Sequence, residues 1–304
     1  MDDLNAMSLP DLFVLLTKDG SLERLLQAAR AEDLADVGDV TTRSMTGMDR
    51  PAEGVVSARE AGVVAGLAVA PALVKAFETA LLFEPAAHDG DECRARQVLG
   101  RLRGPLAEVL VVERTLLNIL GRLSGIATLT RRFVEAAAPA KAAICETRKT
   151  TPGMRHLEKY AVRCGGGTVH RLGLYDAVLY KDNHLAHIPP ERLDRVLEES
   201  IRAARAGGAL RFVEVEVDTL QQLERVLTIE HGLLDMVLLD NMSIEELHKA
   251  VVMRDTEAPD VLLEASGGVT LENVRSIAEA GVDRISIGAL THAARSLDIA
   301  LEVM

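Results

Sequence analysis

Tryptophan is absent from this chain and aromatic residues make up only 3% of it, so the core has to be built from aliphatic side chains. Cysteine is scarce too. Cys93, Cys145 and Cys164 are odd in number and far apart, and no Cys-x-x-Cys pair occurs. That pattern disfavours both a disulfide framework and a zinc site. Long hydrophobic runs are missing: the longest, residues 61–74, is interrupted by Pro71 and is too short to span a bilayer. Positive charge is in deficit, and the net charge of −12 argues against nucleic acid or an anionic membrane as partner. The N-terminus is acidic and lacks the basic start of a signal peptide, so a reducing cytoplasm is the expected location. No low-complexity linker and no clear internal repeat divides the sequence.

What is present is the material of an α/β protein. The 304 residues suffice for one large domain or two smaller ones. Up to about residue 110 the signals are mixed. Residues 22–31 read as helix, 55–58 and 63–67 as short strands around Gly62, and 71–83 as helix with Pro71 in its first turn. Asp89-Gly90-Asp91 is a turn signal. Together these suggest an α+β sandwich.

From residue 142 the pattern is regular, with apolar runs at 142–145, 177–180, 212–217, 236–239, 261–263 and 285–287. Helical periodicities separate several of them: Leu220, Leu223, Val226 and Leu227 share a face, as do Ile244, Leu247 and Val251, and Leu271, Val274 and Ile277. Strands alternating with helices imply parallel pairing with right-handed crossovers. Residues 168–172 offer a seventh strand, which favours a closed α/β barrel over an open sheet.

Each run ends in polar residues: Thr147-Arg148-Lys149, Lys181-Asp182-Asn183, Glu216-Val217-Asp218, Asp240-Asn241, Glu264-Ala265-Ser266, and Gly288 before Thr291-His292. Active sites of α/β barrels are built at the carboxyl ends of strands. Any one polar strand end can be explained by solvent; six in succession describe a site. Arg114, Arg148, Lys149, His170, Arg171 and Lys181 form a positive set, whose convergence costs repulsion and desolvation unless a substrate with several negative charges neutralises it. Glu216 and Asp240 end neighbouring runs and suit ribose hydroxyls, a magnesium ion or a cationic sugar intermediate. Glu214 and Asp218 share the strand parity of Glu216, so the pattern leaves that choice open. Ser266-Gly267-Gly268-Val269-Thr270, ahead of a helix expected near Leu271, and Gly288-Ala289-Leu290-Thr291 are candidate phosphate loops. Gly165-Gly166-Gly167 reads better as a flexible approach to a strand. His184 and His187 have a metal-like spacing but lack further ligands.

These motifs resemble the quinolinate phosphoribosyltransferase family, also called nicotinate-nucleotide pyrophosphorylase (carboxylating). The matching segments are EDLADVGDVTT (32–42), VERTLLNILGRLSGIAT (112–128), ETRKTTPG (146–153), KYAVRCGGGTVHRLGLYDAVLYKDNH (159–184), VEVEVD (213–218), LLDNMS (238–243), LEASGG (263–268) and ISIGALTHAARSLDIAL (285–301). TRKTTPG and KDNH are the most specific. The resemblance implies an N-terminal α/β sandwich domain (1–125), an incomplete, seven-strand-like α/β barrel (126–292) and a C-terminal helix (293–304) returning to the first domain. It also implies a homodimer in which each barrel faces the partner's N-terminal domain, with room for higher assembly.

By motif position Arg114, Arg148, Lys149, His170, Arg171 and Lys181 resemble the quinolinate pocket, Arg114 reaching across from the partner. Glu216 and Asp240 resemble the residues near ribose and magnesium, which settles the open choice. Ser266, Gly267, Gly268 and Gly288 resemble the 5′-phosphate site. The implied reaction is pentosyl transfer from 5-phosphoribosyl 1-pyrophosphate to quinolinate with loss of carbon dioxide. It needs Mg2+ and no organic cofactor, and Lys149, Lys181, Glu216 and Asp240 are the catalytic candidates. One departure stands out: the family usually has Asn before the His-Arg pair, where this chain has Val169. Two rival readings are a barrel lyase with Lys149 or Lys181 as a Schiff-base nucleophile, and a non-catalytic phosphosugar-binding protein.

Overall fold

The computed structural model describes residues 3–304; Met1 and Asp2, which open the acidic N-terminus, lie outside them. Twelve strands occur among the described residues: β1 (Pro51–Ala58), β2 (Gly62–Val63), β3 (Leu82–Pro85), β4 (Glu92–Cys93), β5 (Val98–Pro105), β6 (Ala143–Cys145), β7 (Val178–Tyr180), β8 (Val213–Val217), β9 (Met236–Asp240), β10 (Leu262–Ser266), β11 (Arg284–Ser286) and β12 (Ile299–Val303). The chain divides into two compact units. The first holds residues 4–131, 150–166 and 290–304, the second 132–149 and 167–289 with Asp3. The expected boundary at 125/126 thus differs in detail, because residues 150–166 also belong to the first unit. The helix Arg155–Cys164 packs there on the helix Leu9–Thr17, with Phe13 edge-on to Tyr160 at 5.2 Å between ring centroids.

In the first unit β12-β1-β5-β3 form an antiparallel sheet. The C-terminal segment is therefore a strand and not the expected helix over 293–304. Residues 299–303 pair with β1 in register from Gly54 opposite Val303 to Ala58 opposite Ile299. The helical propensity of this Ala- and Leu-rich tail is overridden because the β1 edge offers backbone partners and burial for Ile299 and Ala300. The expected helix 71–83 is shorter too: it runs Ala70–Ala76, Glu78 adopts φ +57°, and β3 follows. Of residues 63–67 only Val63 is strand, in the two-residue β2, before a 3-10 turn at Leu67–Val69.

The long helix Leu106–Ala137 carries much of the aliphatic core on one stripe, with Val109, Val112, Leu116, Leu120, Leu123 and Ala127 buried at helical spacing. Each such Leu or Val contributes roughly 1.5–3 kcal/mol. On the opposite face of this helix the C-terminal segment comes close: a Cβ on Gly125 would lie 2.1 Å from the Arg295 carbonyl oxygen.

In the second unit β6-β11-β10-β9-β8-β7 form a parallel sheet, each step joined by register-matched pairs. Its ends do not close. The expected seventh strand is reduced to one parallel bridge between Thr168 and Cys145. Val213, Val215, Val217, Val237, Leu239, Leu263, Ala265, Ile285 and Ile144 alternate on one face and are buried. The helices Leu193–Ala206, Leu220–Leu227, Ile244–Glu257 and Val274–Glu279 present buried aliphatic stripes of their own. Capping boxes at Thr219/Gln222 and Ser243/Glu246 start two of them where sequence periodicity begins. The opposite face carries Leu179, Glu214, Glu216, Leu238, Asp240, Glu264, Ser266, Arg284, Ser286 and Cys145, which makes it the polar one. No described helix is long and apolar enough to cross a membrane.

Gly125→Ala should lower stability by about 3 kcal/mol, since the obstructing atom is backbone and cannot rotate away. Chemical denaturation measures this; a midpoint equal to wild type would show that the C-terminal segment is not held against the helix.

Candidate functional site

The polar face of the parallel sheet is stratified. Deepest is a buried charge cluster. His170 Nε2 lies 3.2 Å from Glu214 on β8 and 3.2 Å from Glu264 on β10, two strands that flank β9, so the sheet curls around the imidazole. Arg284 of β11 donates to Glu264 through Nε at 2.8 Å, and Phe212 closes the group edge-on to His170 at 5.1 Å. The Glu146 carboxylate accepts the His170 amide at 3.0 Å. The ligand atoms of His170, Glu214 and Glu264 lie within 4.8 Å of one another, close enough for a metal. Arg284 and the imidazole already bring positive charge there, which makes ion pairing the better account.

Burial opposes a charged His170, but Glu264 and Glu214 outweigh it and raise its pKa to about 9. Burial likewise pushes Glu264 upward, yet His170 and Arg284 hold it down at about 2, while burial and the neighbouring Glu264 raise Glu214. His170 Nδ1 accepts the Arg171 amide at 2.8 Å, which requires a free lone pair and competes with full ring protonation. Two carboxylates at Nε2 and the Arg171 amide at Nδ1 thus hold the imidazole at both ring nitrogens. Its orientation does not depend on a side chain at position 169, where Val169 is buried.

Arg171 follows on a loop that Asp176 organises by accepting the Leu172 and Gly173 amides at 2.8 and 2.9 Å. Its side chain is buried, and its pKa is lowered first by burial and then by the Arg148 guanidinium beside it. Arg148 Nε is itself buried without a hydrogen-bond partner. Two guanidiniums therefore lie close together, opposed by each other and favoured by Glu214, Asp176 and Glu216, a set able to take a further anion. Lys149 is exposed on the same loop, its amide turned back to Thr147 Oγ1 at 3.1 Å. Lys181 is ion-paired with Glu216, and its amide donates to His184 Nδ1 at 2.9 Å. That contact explains the KDNH spacing: His184 folds back to cap the short Asp182–Leu185 helix rather than to bind metal.

Asp240 ends β9 on the same face as Glu216, one row further toward the carboxyl ends of the strands, and accepts from Asn241 Nδ2 at 2.7 Å. Beside it Gly267 and Gly268 take φ +97° and +61°. A Cβ on Gly267 would meet Asn241 Oδ1 at 2.1 Å, so glycine is required by both conformation and space. Asn273 braces this loop, accepting the Thr270 amide at 2.8 Å and donating to the Gly268 carbonyl at 2.9 Å. The helix after it begins at Val274 rather than near Leu271, because a turn closed by Asn273 intervenes. The anion-binding capacity of this loop therefore rests on its own amides. Gly288 follows β11 and leads into the short Ala289–His292 helix.

The second unit thus gathers Arg148, Lys149, His170, Arg171, Lys181, Glu216, Asp240, Ser266, Gly267, Gly268 and Gly288 at one end of one sheet. Arg114 is not among them; it lies in the first unit on the long helix, 67% exposed, with Glu113 at 3.9 Å. The sequence reading missed Glu146 and Arg284 and left Glu264 as a polar strand end. The alternation of Glu with Val in 213–217 was the available signal that this interior is charged.

Fold and site together define an α/β protein whose parallel sheet ends in a guanidinium pair, a lysine–glutamate pair and a positive-φ glycine loop. Models of the quinolinate phosphoribosyl transferase N-terminal and C-terminal domains match residues 39–124 and 126–302. The chain is 40% identical to the nicotinate-nucleotide pyrophosphorylase (carboxylating) of Mycobacterium leprae over 91% of this chain and 95% of that protein. It is 38% identical to the chloroplastic protein of that name from Arabidopsis thaliana, over 93% and 82%. The solved nicotinate-nucleotide pyrophosphorylase of Francisella tularensis superposes with a TM-score of 0.84 at 31% identity over the whole of both chains. This chain belongs to the quinolinate phosphoribosyltransferase family.

The raised His170 pKa has a defined consequence for stability. A group raised from 6.5 to about 9 on folding contributes fully below pH 6.5 and loses that contribution as pH rises through 9. The melting-temperature gap between wild type and His170→Gln should therefore narrow steadily across that window. A gap constant with pH would mean that the imidazole is not held as a cation.

Proposed function

We propose that this protein transfers the phosphoribosyl group of 5-phosphoribosyl 1-pyrophosphate to quinolinate in the cytoplasm, releasing pyrophosphate and carbon dioxide and forming nicotinate mononucleotide for NAD synthesis. The observation that carries this reading is the Arg148–Arg171 pair, with buried Arg171 and an unpartnered, buried Arg148 Nε, on the same sheet as the positive-φ Gly267-Gly268 loop. A dicarboxylate satisfies the first and a phosphate the second.

In this reading Arg148, Arg171, Lys149 and Lys181 grip the two carboxylates, with His170 behind Arg171 fixing its backbone. Ser266, Gly267, Gly268 and Gly288 take the 5′-phosphate. The pyridine nitrogen, held against the anomeric carbon, forms the new C–N bond as the C–O bond to pyrophosphate breaks. Glu216 and Asp240 stabilise the positive charge that develops on the sugar. The ring, now cationic, accepts the electron pair of the breaking C–CO2 bond, and Lys149 returns a proton to that carbon. No organic cofactor is needed, because the ring itself is the electron sink.

Glu216 and Asp240 are oxygen donors near a diphosphate, a set that suits magnesium, which is usually held by one or two carboxylates plus substrate phosphates and water. Magnesium bound there would neutralise charge on the departing pyrophosphate. The pairing of Lys181 with Glu216 disfavours that lysine as a Schiff-base nucleophile, a role that needs a free amine. Incubation with quinolinate, phosphoribosyl pyrophosphate and Mg2+ should yield nicotinate mononucleotide by mass, and excess chelator should stop it. Absence of product from folded protein overturns the reading.

Arg114 is the remaining cation, exposed in the first unit, and we place it in the quinolinate pocket of the partner in a homodimer. Arg114→Ala and Lys149→Ala, each inactive alone, should recover roughly a quarter of wild-type activity when subunits are mixed at random, because half the dimers then carry one intact site. No recovery despite proven subunit exchange would place Arg114 in its own subunit's site.

A further inference from the structure

Two segments leave the candidate site and pass into the first unit: one after Arg148-Lys149, beginning at Thr150, and one after Gly288-Ala289, beginning at Leu290. Within the first unit both are tied to a single buried ion pair. Glu158 is fully buried and accepts from Arg122 Nε and Nη2 at 3.1 and 2.8 Å, from the Thr151 amide at 3.0 Å and from Thr151 Oγ1 at 2.8 Å. The same Arg122 donates through Nη1 to the Ala294 carbonyl at 3.0 Å and through Nη2 to the Thr291 carbonyl. Arg155 adds a second tie on the first segment, from Nε to Thr150 Oγ1 at 3.1 Å.

We propose that Arg122 and Glu158 are positioning residues for the transferase reaction, setting the quinolinate loop and the 5′-phosphate loop from one anchor. Neither touches substrate. Glu158 holds Thr151, two residues beyond Lys149; Arg122 holds Thr291, three residues beyond Gly288, and is itself oriented by Glu158. Four donors on a carboxylate with no exposure leave it little freedom, and the planar guanidinium spans both segments as no lysine can. Reaction between two bound substrates depends on their mutual placement, and a displacement of about 1 Å can cost on the order of a hundredfold in rate. A shared anchor makes the two loops keep a common register.

The inference rests on the transferase reading, so the wild-type assay comes first: an inactive wild-type chain overturns both. With active wild type, kcat, the KM for each substrate and the melting temperature are measured for three variants. Thr151→Val removes one donor on the quinolinate side only, and should raise the quinolinate KM about fivefold while moving the phosphoribosyl pyrophosphate KM by less than about twofold. Thr151→Ser, which restores the hydroxyl, should return the quinolinate KM to the wild-type value. Arg122→Lys keeps the charge but loses the fork, and should raise both KM values about tenfold or lower kcat correspondingly. A pair that merely stabilises the fold would lower the melting temperature without splitting the two KM values. Should Arg122→Lys fail to fold, the Thr151 variants decide alone. Unchanged kinetics in folded Thr151→Val, or equal shifts in both KM values that serine does not rescue, overturn the proposal.

Discussion

Charge buried inside the parallel sheet governs the rest of the second unit. Glu214, Glu216 and Glu264 all point to the polar side of strands whose other side is packed with Val, Leu and Ile. A carboxylate there costs several kcal/mol unless a cation or a proton accompanies it. The sheet itself supplies Arg284, and the rest has to arrive on connecting segments: His170 on the loop after Thr168, Lys181 at the end of β7. The loop 168–177 is thereby compelled to run across the interior instead of pairing as a full strand. Its single bridge to Cys145 and the imidazole wedged between β8 and β10 are two results of one requirement.

The same requirement orders the site along the strands. In the deep cluster each acid has a basic neighbour. Toward the carboxyl ends the like charges of Arg148 and Arg171 lie together, and Gly267 and Gly268 turn through positive φ. Through the Arg171 amide, the deep cluster also fixes the backbone of the cationic loop above it.

Much of this was readable from residue order. Alternation of Val with Glu at 213–217, apolar runs ending in polar residues, and the paired loops after the last two strands follow from local periodicity, and periodicity survives folding because side-chain direction alternates along any strand. The TRKTTPG and KDNH segments marked the cationic loops for the same reason: their chemistry is contained in a few contiguous residues. Other features depended on partners distant in the chain. His184 has a metal-like spacing in the sequence and a capping role in the structure, because the amide of Lys181 is its nearest acceptor-seeking group. Glu146, Arg284 and the Arg122–Glu158 pair carry no local mark at all.

The C-terminal segment shows the division most plainly. Its composition favours helix, and nothing within residues 293–304 reveals that an unpaired strand edge is waiting at β1; the backbone hydrogen bonds there, and the glycine at 125 that lets the chain approach, made it a strand. The sequence by itself determined the alternating α/β pattern, the aliphatic core and the identity of the cationic and glycine loops, since each is set by residues near one another in the chain. Which charges neutralise one another inside the sheet, where the seventh strand gives way to a loop, and which anchor holds the two substrate loops were decided only by tertiary structure, because ion pairing and edge pairing act across any sequence distance once folding has brought the groups together.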